Sequence, residues 1–511
     1  MAAAAPAVAA IAVSKRFPGV VANDRVSFEV RVGEVHALLG ENGAGKTTLS
    51  NILTGLYRPD EGRLEVGGRE VVFDSPRAAI SAGIGMVHQH FRLVPTFTVT
   101  ENIVLGSHAP TRGPLLDLRA AEDAIAELAE RHAMPVDPRA AVWQLSVGEQ
   151  QRVEILKVLY RQANVLIMDE PTAVLTPPEA DALVVTLRSM AADGRSVIFI
   201  SHKLGEVTAV ADRITILRDG RSVATVDAAG STRQSLAGIM VGREVERVER
   251  KVGGRTVDGP TVLSVRSLAA SGDRGQPALR GVDLDVRAGE ILGIAGVAGN
   301  GQRELIEVLA GLRERTSGTV EVDGTSVERA DARVPIRMGV AYVPQDRLGT
   351  GLAPDLSIAE NLVLKRYRRP PVARPPFIRS SVVDAEAADL MERFDVRAPS
   401  AQTPTRRLSG GNVQKVLLAR EMSSSPKVLV IASPTQGLDI GAVATVHRLL
   451  LDAAAQGVGI LLVSEDLDEV LALSDRIAVM YEGEILRTMD AADADVPTIG
   501  QLMGGHVEAV R

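Results

Sequence analysis

The chain has 511 residues, more than one ordinary domain of roughly 150 residues, which predicts two to four folding units. Its hydrophobic fraction of 45% and charged fraction of 24% are typical of globular domains, so extensive disorder is not expected. A net charge of -7 argues against a surface that neutralises nucleic-acid phosphates. No apolar run approaches the ~20 residues of a membrane span, and the absence of cysteine excludes disulfides and fits a cytosolic location.

An internal repeat organises the chain. VSFEVRVGEVHALLGENGAGK from Val26 matches VDLDVRAGEILGIAGVAGNGQ from Val282, an offset of 256 (282 minus 26). Further on, LSVGEQQ from Leu145 matches LSGGNVQ from Leu408 at an offset of 263, so the second copy has gained seven residues (263 minus 256). We place the gain in the basic, proline-rich stretch 365–379, which cannot be regular helix. A solvated loop is the simpler interpretation of this stretch, and contact with a membrane surface or partner is the alternative.

Within each copy, short Val/Ile-rich runs such as ANVLIMD and RSVIFIS alternate with helix-like segments such as AAEDAIAELAERHA. This alternation predicts an α/β unit with a mostly parallel sheet. The stretch between Gln89 and Leu145 is richer in helix and predicts an inserted helical lobe. A polar, charged, glycine-containing stretch separates the copies. We therefore predict domains at 1–245 and 260–511, joined by a linker at 246–259.

A phosphate-binding loop is predicted in the first copy. GENGAGKT, Gly40–Thr47, fits GxxxxGK[ST] and follows the apolar run VHALL, the strand-to-helix context that this motif needs. The glycines let backbone N–H groups surround phosphate oxygens at a helix N-terminus. Lys46 reaches the terminal phosphates and the Thr47 hydroxyl is a Mg²⁺ ligand. The predicted nucleotide-binding residues are Gly40, Glu41, Asn42, Gly43, Ala44, Gly45, Lys46, Thr47 and Thr48.

Two carboxylates follow the strand-like run VLIM. Asp169 is the predicted Mg²⁺ ligand, and Glu170 is the predicted base that orients and deprotonates the attacking water. Acidic residues also end strands for structural reasons, so this assignment depends on the preceding phosphate loop. A strand ending in two acids is thus predicted to lie beside the bound nucleotide.

Three further residues are predicted to contribute to this site. His202 follows the strand VIFIS, where its imidazole can donate to a γ-phosphate, although a surface histidine is the simpler alternative. Gln89 follows GIGMVH and can contact metal or water, although most glutamines are merely solvated. Phe17, in a chain with only 3% aromatic residues, can stack on adenine or fill a core.

These residues, in this order and joined by LSVGEQQ and LSGGNVQ, resemble the ABC ATPase family over nearly the whole chain. The resemblance implies two tandem nucleotide-binding domains, each with a RecA-like α/β core and an inserted helical subdomain. It also implies ATP and Mg²⁺ as ligands, with Thr47, Gln89 and Asp169 around the metal. In that family the signature of one cassette covers the ATP of the other. By resemblance, Ser409, Gly410, Gly411 and Asp439 would therefore complete the site based on Lys46.

The second copy departs from the family pattern at every catalytic position. The corresponding pairs are Lys46 and Gln302, Thr47 and Arg303, Asp169 and Ala432, Glu170 and Ser433, and His202 and Glu465. The first signature reads SVGE from Ser146, and Thr176 stands where the second copy has Asp439. The replaced residues are therefore all predicted to belong to one of the two shared ATP sites. That site should not hydrolyse ATP, and the sequence leaves open whether it binds nucleotide.

The resemblance extends to a subgroup. Met86–Gly106 and Leu145–Arg161 are similar to nucleoside-type importer ATPases that work with lipoprotein receptors, whereas ribose, galactose and xylose importer ATPases resemble the chain less. This likeness implies a nucleoside importer, with a sugar importer or a non-transport tandem ATPase as alternatives. Two transmembrane permeases and, through them, a substrate-binding lipoprotein are the implied partners. The implied location is the cytoplasmic side of the cell membrane, bound peripherally through the permeases.

Overall fold

The computed structural model describes residues 5–89, 91–107, 110–112, 115–172, 175–201, 203–241, 259–328, 330–374 and 376–505. The chain forms two compact units, Met1–Val245 and Glu246–Arg511. The predicted linker lies outside the described residues apart from Gly259, so the predicted domain limits stay predictions. In the described ranges, no helix is long and apolar enough to cross a membrane.

The first unit contains the following described strands and helices. The strands are β1 Val8–Phe17, β2 Val20–Val30, β3 Val35–Gly40, β4 Glu61–Val66, β5 Arg69–Val71, β6 Ile84–Val87, β7 Thr111–Arg112, β8 Leu115–Leu116, β9 Val165–Asp169, β10 Ser196–Ser201, β11 Arg213–Arg218 and β12 Arg221–Asp227. The helices are α1 Lys46–Leu53, α2 Pro76–Ser81, α3 Val99–Val104, α4 Leu118–Arg131, α5 Val147–Tyr160, α6 Pro177–Ala192, α7 Leu204–Val210 and α8 Arg233–Val241.

Two sheets form the α/β core of the first unit. The larger has the order β12-β11-β3-β10-β9-β6 and is parallel except for β12, whereas the smaller, β2-β1-β4-β5, is antiparallel. Strand β3 is fully buried, as expected for a parallel strand covered on both faces. Side chains from both sheets and from α1 share one apolar core. This packing fixes the start of α1 at the carboxyl edge of the larger sheet.

The second unit repeats this architecture. Its strands are β13 Thr261–Ser271, β14 Pro277–Arg287, β15 Ile291–Ala295, β16 Ser317–Val322, β17 Thr325–Ser326, β18 Val340–Val343, β19 Ala373–Arg374, β20 Phe377–Ile378, β21 Val428–Ala432, β22 Gly459–Ser464, β23 Arg476–Tyr481 and β24 Glu484–Asp490. Its helices are α9 Gln302–Leu309, α10 Arg333–Met338, α11 Ile358–Val363, α12 Ser380–Arg393, α13 Gly410–Met422, α14 Ile440–Ala455, α15 Leu467–Leu473 and α16 Val496–Met503. Its sheets run β18-β21-β22-β15-β23-β24 and β14-β13-β16-β17.

The predicted helical lobe is present in both units. In the first it comprises α3, α4 and the start of α5, and in the second α11, α12 and the start of α13. Each lobe also carries a two-stranded hairpin, β7–β8 or β19–β20. The predicted loop at 365–379 therefore contains a short hairpin. The α/β fold with inserted helices is confirmed in each unit.

The seven extra residues of the second unit are not all at 365–379, so that expectation was wrong. Offsets between corresponding helix N-caps locate the gain: 259 for Thr98 and Ser357, 262 for Asp117 and Arg379, and 263 for Ser146 and Ser409. Three residues therefore enter before α11, three between α11 and α12, and one between α12 and α13. The first group coincides with a separate π-helical turn at Arg347–Gly351, between β18 and α11.

Candidate functional site

The predicted phosphate loop joins the buried strand β3 to α1. Gly43 and Gly45 have positive φ values of 85° and 98°, which glycine adopts without steric cost. A Cβ on Gly45 would also collide with the carbonyl of Ala22. The amide of Asn23 donates to the Gly45 carbonyl at 3.1 Å and ties the loop to β2. No side chain caps α1, so its N-terminal N–H groups remain available to an anion.

Lys46 lies inside this loop. Its ammonium donates to the carbonyls of Gly40 at 2.6 Å and Glu41 at 3.0 Å, and the residue is 7% exposed. Burial lowers its pKa, while the carboxylates of Glu170 and Asp169 act in the opposite direction. The ammonium is thus held where the oxygens of an incoming phosphate can replace the two loop carbonyls as its hydrogen-bond acceptors. The remaining loop residues surround it: Ala44 donates to the Glu41 carbonyl at 3.1 Å, and Asn42 is exposed.

The two predicted carboxylates end β9 at the same sheet edge. Asp169 pairs in register with Ile200 of β10, and Ser201 pairs with Leu39 of β3, so one strand separates the acids from the strand that carries the loop. Burial and, after it, the neighbouring charge of Glu170 together raise the pKa of Asp169 to about 6, against the opposing charge of Lys46. Two adjacent carboxylates, one of them buried, attract a cation, so the electrostatics of this sheet edge favour binding of a metal ion.

Glu170 occupies an unusual backbone conformation. Its φ is 47°, in the left-handed region, and its N–H donates to the Ile200 carbonyl at 2.8 Å. Its carboxylate accepts a hydrogen bond of 3.0 Å from the amide of Gln89, which follows β6. The strained turn directs the carboxylate out of the strand, and Gln89 holds it there. The structure thus brings two sequence-predicted residues into direct contact.

The sequence-predicted metal ligands Asp169, Thr47 and Gln89 carry donors of the kind that fits Mg²⁺. Carboxylate, hydroxyl and amide oxygens are the hard ligands that this ion accepts, usually together with water. The Thr47 residue is exposed at the first turn of α1, and the Thr48 residue is partly buried beside it. Asp169, Thr47 and Gln89 are therefore the residues that would hold the ion.

Phe17 is the last residue of β1 and is 38% exposed, so it does not fill the core. Its ring packs edge-to-face against Tyr57 with centroids 5.5 Å apart, and the Lys15 ammonium lies 5.9 Å from it. An exposed ring fixed by a second ring is suited to stacking on a planar base. His202 lies outside the described residues, so its role stays a prediction.

The two signature sequences begin helices with different N-termini. Ser146 and Glu149 form a capping box at α5, with hydrogen bonds of 3.3 and 2.8 Å, and Glu179 lies against Gly148. The first signature therefore satisfies the N–H groups of Ser146 and Glu149 itself and places carboxylates there, which disfavours an anion.

At α13, by contrast, the Ser409 hydroxyl accepts from the Asn412 amide at 2.9 Å and caps no backbone N–H. Gly410 is exposed and Gly411 is buried against Ala442. Asp439 caps α14 through the Ala442 N–H at 2.7 Å, and a Cβ on Gly411 would lie 3.7 Å from its carboxylate. The four predicted residues of the second unit thus form one cluster around an uncapped helix end.

The loop of the second unit keeps the backbone of the first. Gly299 and Gly301 have φ values of 90° and 103°, and Ser433 keeps the left-handed turn of Glu170 with φ 41°. Gln302 replaces the lysine, and its amide donates to the Val297 carbonyl at 2.9 Å, the position that corresponds to Glu41. The loop conformation therefore survives without the lysine charge that is predicted to bind phosphate.

An ion-pair cluster replaces the aromatic pair in the second unit. Strand pairing places Gly272 where the first unit has Phe17, and Arg313 takes the position of Tyr57. Asp273 accepts from both Arg313 and Arg303, and Glu307 contacts the same two arginines. The position that corresponds to Thr47 is thus an arginine already held by two acids, and the described part of the second unit has no aromatic pair at the positions of Phe17 and Tyr57.

Sequence reasoning missed several residues that shape these sites. In the first unit, Asn23 supports the phosphate loop and Tyr57 packs against the ring of Phe17. Glu149 and Glu179 place carboxylates at the N-terminus of the first signature helix. Asn23 is buried out of phase with the inward positions 26, 28 and 30 of its strand, so the alternating pattern did not mark it. All four become recognisable only from the contacts that the fold creates.

The fold and the first site together define a P-loop nucleotide hydrolase with two tandem units, of which one keeps the reactive groups. Comparisons agree. The ABC transporter family profile matches residues 23–173 and 279–436. The chain belongs to that family, and it is an ATP-binding protein that hydrolyses ATP to drive transport.

Full-length relatives are similar to this chain. The nucleoside import ATP-binding protein NupA of Lactococcus lactis is 45% identical, covering 97% of this chain and 98% of its own length. The glucose import ATP-binding protein TsgD13 of Haloferax volcanii is 47% identical, covering 97% and 95%. The guanosine import ATP-binding protein NupO of Bacillus subtilis is 42% identical, covering 97% of both. A solved archaeal ribosome recycling factor, aABCE1, shares the fold alone, with a TM-score of 0.61 at 21% identity over 94% of this chain and 90% of its own.

Proposed function

We propose that this ATPase powers the import of nucleosides. The observation that carries the proposal is the intact loop, acid pair and glutamine of the first unit in a chain 45% and 42% identical to nucleoside and guanosine import proteins over nearly its whole length. The segments Met86–Gly106 and Leu145–Arg161 support the same subgroup. Energy from ATP hydrolysis would drive transport by partner proteins that handle the nucleoside themselves.

At the first site, ATP would bind with its phosphates on the loop 40–47 and its base on Phe17. Lys46 would move from the loop carbonyls to the terminal phosphates, neutralising charge that builds up in phosphoryl transfer. Glu170 would accept the proton of the attacking water, since Gln89 already orients its carboxylate. His202 would donate a hydrogen bond to the γ-phosphate as it is transferred to water, with ADP as the leaving group.

Magnesium is proposed as the metal, held by Asp169, Thr47 and Gln89. When bound, the ion supplies charge neutralisation between the phosphates and the buried acid. The chain's own contribution is to desolvate Asp169 and keep it near the loop, which raises its pKa to about 6 until a cation arrives.

We further propose that Ser409, Gly410, Gly411 and Asp439 complete the ATP site based on Lys46. Support comes from the uncapped N-terminus of α13, whose N–H groups are suited to an anion, and from the absence of a glutamate at its third position. The self-capped α5 would leave the other shared site without an equivalent phosphate ligand. ATP would then hold the units together, and hydrolysis would release them.

Two transmembrane permeases and a substrate-binding lipoprotein are the proposed partners, and the chain would lie peripherally on the cytoplasmic face of the membrane through those permeases. A sugar importer is the second candidate, favoured by the 47% identity to the glucose import protein. Mass spectrometry of the small molecule that co-purifies with the partner lipoprotein decides between them. A purine or pyrimidine nucleoside supports the proposal, and a free hexose or pentose overturns it.

A further inference from the structure

The hairpin of the second helical lobe carries a concentration of positive charge. We define the basic hairpin as residues 365–374 and 376–379. It contains six basic residues and no acid, in a chain whose net charge is -7: Lys365, Arg366, Arg368, Arg369, Arg374 and Arg379. Such a concentration against the overall charge indicates a local preference for an anionic partner.

Within the part of the chain that the structure describes, carboxylates neutralise two of these cations. Lys365 pairs with Glu421, and Arg366 pairs with Glu386 at 2.7 Å. Among the described residues, no carboxylate forms an ion pair with the other four arginines, and all four are exposed. Arg368 lies over the ring of Tyr367 instead, 5.1 Å from its centroid. Four cations therefore remain available to an external partner.

Apolar side chains accompany these charges at the end of the hairpin. Phe377 is 74% exposed and Ile378 is 54% exposed, although consecutive strand residues point to opposite faces. At these two residues both faces of the hairpin are exposed, although the face of Ile378 is covered at its cross-strand partner Ala373, which is buried. Its base is fixed, because Val372 is fully buried and its carbonyl accepts from the Arg379 N–H at 2.9 Å.

The corresponding hairpin of the first unit lacks this character. Residues 105–117 contain one arginine and one aspartate. Asp117 caps α4 by accepting from Ala120 at 3.2 Å, whereas Arg379, at the same place before α12, makes no side-chain cap. A cation at a helix N-terminus opposes the helix dipole. Helix stability therefore does not account for Arg379.

We propose that the basic hairpin binds the surface of an anionic lipid bilayer, with Phe377 and Ile378 entering the headgroup region. Arginines at this interface attract acidic lipids, and neighbouring apolar side chains gain by leaving water. A bilayer surrounds an inserted tip on all sides, which suits apolar exposure on both faces. A flat protein surface would cover only one face.

This inference goes beyond the proposed function, and its test needs neither permeases nor ATP. The full chain is mixed with vesicles of phosphatidylglycerol and phosphatidylcholine in equal parts, or of phosphatidylcholine alone, and the bound fraction is measured by flotation. Binding is expected only with the anionic vesicles and should weaken as salt is raised.

Two double variants separate the contributions. Arg368→Gln with Arg369→Gln should weaken binding roughly 30-fold, about fivefold per arginine. Phe377→Ser with Ile378→Ser should weaken it about tenfold. Leu116→Ser is the matched control, because Leu116 is 59% exposed on the hairpin of the first unit and should not affect binding. Unchanged ATP turnover confirms that each variant is folded.

Three outcomes would overturn the proposal. They are equal binding to both kinds of vesicle, unchanged binding by both double variants, and no vesicle binding by the wild-type chain. If the last result came with loss of permease-stimulated turnover in the arginine variant, the hairpin would instead recognise an acidic protein segment. Neither result would bear on hydrolysis at the first site, which is measured separately.

Discussion

The two phosphate loops of this chain have the same backbone and different chemistry. In both, a buried strand leads through left-handed glycines into an eight-residue helix. In the first, Lys46 lies near two acids, whereas in the second Gln302 bonds to the loop and Arg303 is held by Asp273 and Glu307. Glycines and apolar strands thus maintain the fold without the reactive groups. Catalytic competence depends on a few polar side chains that the fold does not require.

The largest expected effect comes from the acid at the end of β9. Glu170→Gln should lower ATP turnover at least about 100-fold, because the amide cannot accept a proton from water. Steady-state phosphate release measures this effect. Ser433→Glu, at the same backbone position in the second unit, should restore no ATP turnover to the second site, either alone or together with Gln302→Lys. More than a few per cent of wild-type turnover in Glu170→Gln would contradict the assignment.

The number of ATP molecules bound per chain is the next test of the difference between the two phosphate loops. The wild-type chain should bind one equivalent of ATP, since the described part of the second unit lacks the lysine and the aromatic pair of the first. Lys46→Ala should bind none at concentrations that saturate the wild type, and equilibrium dialysis measures both. One equivalent retained by Lys46→Ala would place a nucleotide on the second loop.

The two signature serines form a matched pair. Ser409→Ala should lower turnover about tenfold or more, the expected loss of a hydrogen bond to a charged phosphate, with little change in stability. Ser146→Ala should leave turnover nearly unchanged and lower the free energy of unfolding by about 1 kcal/mol, because it removes a helix cap. Phosphate release and denaturant unfolding of both variants test this. Equal effects of the two variants on turnover would contradict the proposal that the second signature, and not the first, contacts the ATP.

Metal affinity should depend on pH through Asp169. Its pKa of about 6 lies above the ordinary value, so the carboxyl is protonated below pH 6 and charged above it. Mg²⁺ needs the charged form, so its affinity should be full above about pH 7 and fall up to tenfold per unit below pH 6. Titrating Mg²⁺ against the wild-type chain loaded with a non-hydrolysable ATP analogue measures this, because the charge of Glu170 that helps to raise the pKa is kept. Asp169→Asn should bind weakly at every pH, and a wild-type affinity independent of pH would exclude the mechanism.

The smallest expected effect belongs to the aromatic ring of the first unit. Phe17→Ala should raise the KM for ATP about fivefold with kcat nearly unchanged, because stacking contributes about 1 kcal/mol to binding. Phe17→Tyr is the control that keeps the ring. Kinetics with ATP and GTP measure the effect, and an unchanged KM in Phe17→Ala would exclude the ring from the base site.

Much of this chain could be predicted from its sequence. The repeat, the loop at Gly40–Thr47 and the acids after VLIM are local patterns whose spacing specifies a strand, a turn and a helix. The sequence also showed that the second copy has different residues at the positions of Lys46, Thr47, Asp169, Glu170 and His202. These features need no knowledge of distant contacts, because periodicity and glycine conformation are properties of neighbouring residues.

Other features depend on residues distant in sequence. The Gln89–Glu170 hydrogen bond, the Asn23 support of the loop and the raised pKa of Asp169 arise only when strands align their ends and exclude water. The Asp273 cluster and the contact of Glu179 with the first signature have the same origin. The sequence by itself determined the repeated loop and the identity of the reactive groups. Tertiary structure alone decided which groups meet and which helix ends stay open, because packing sets burial and distance.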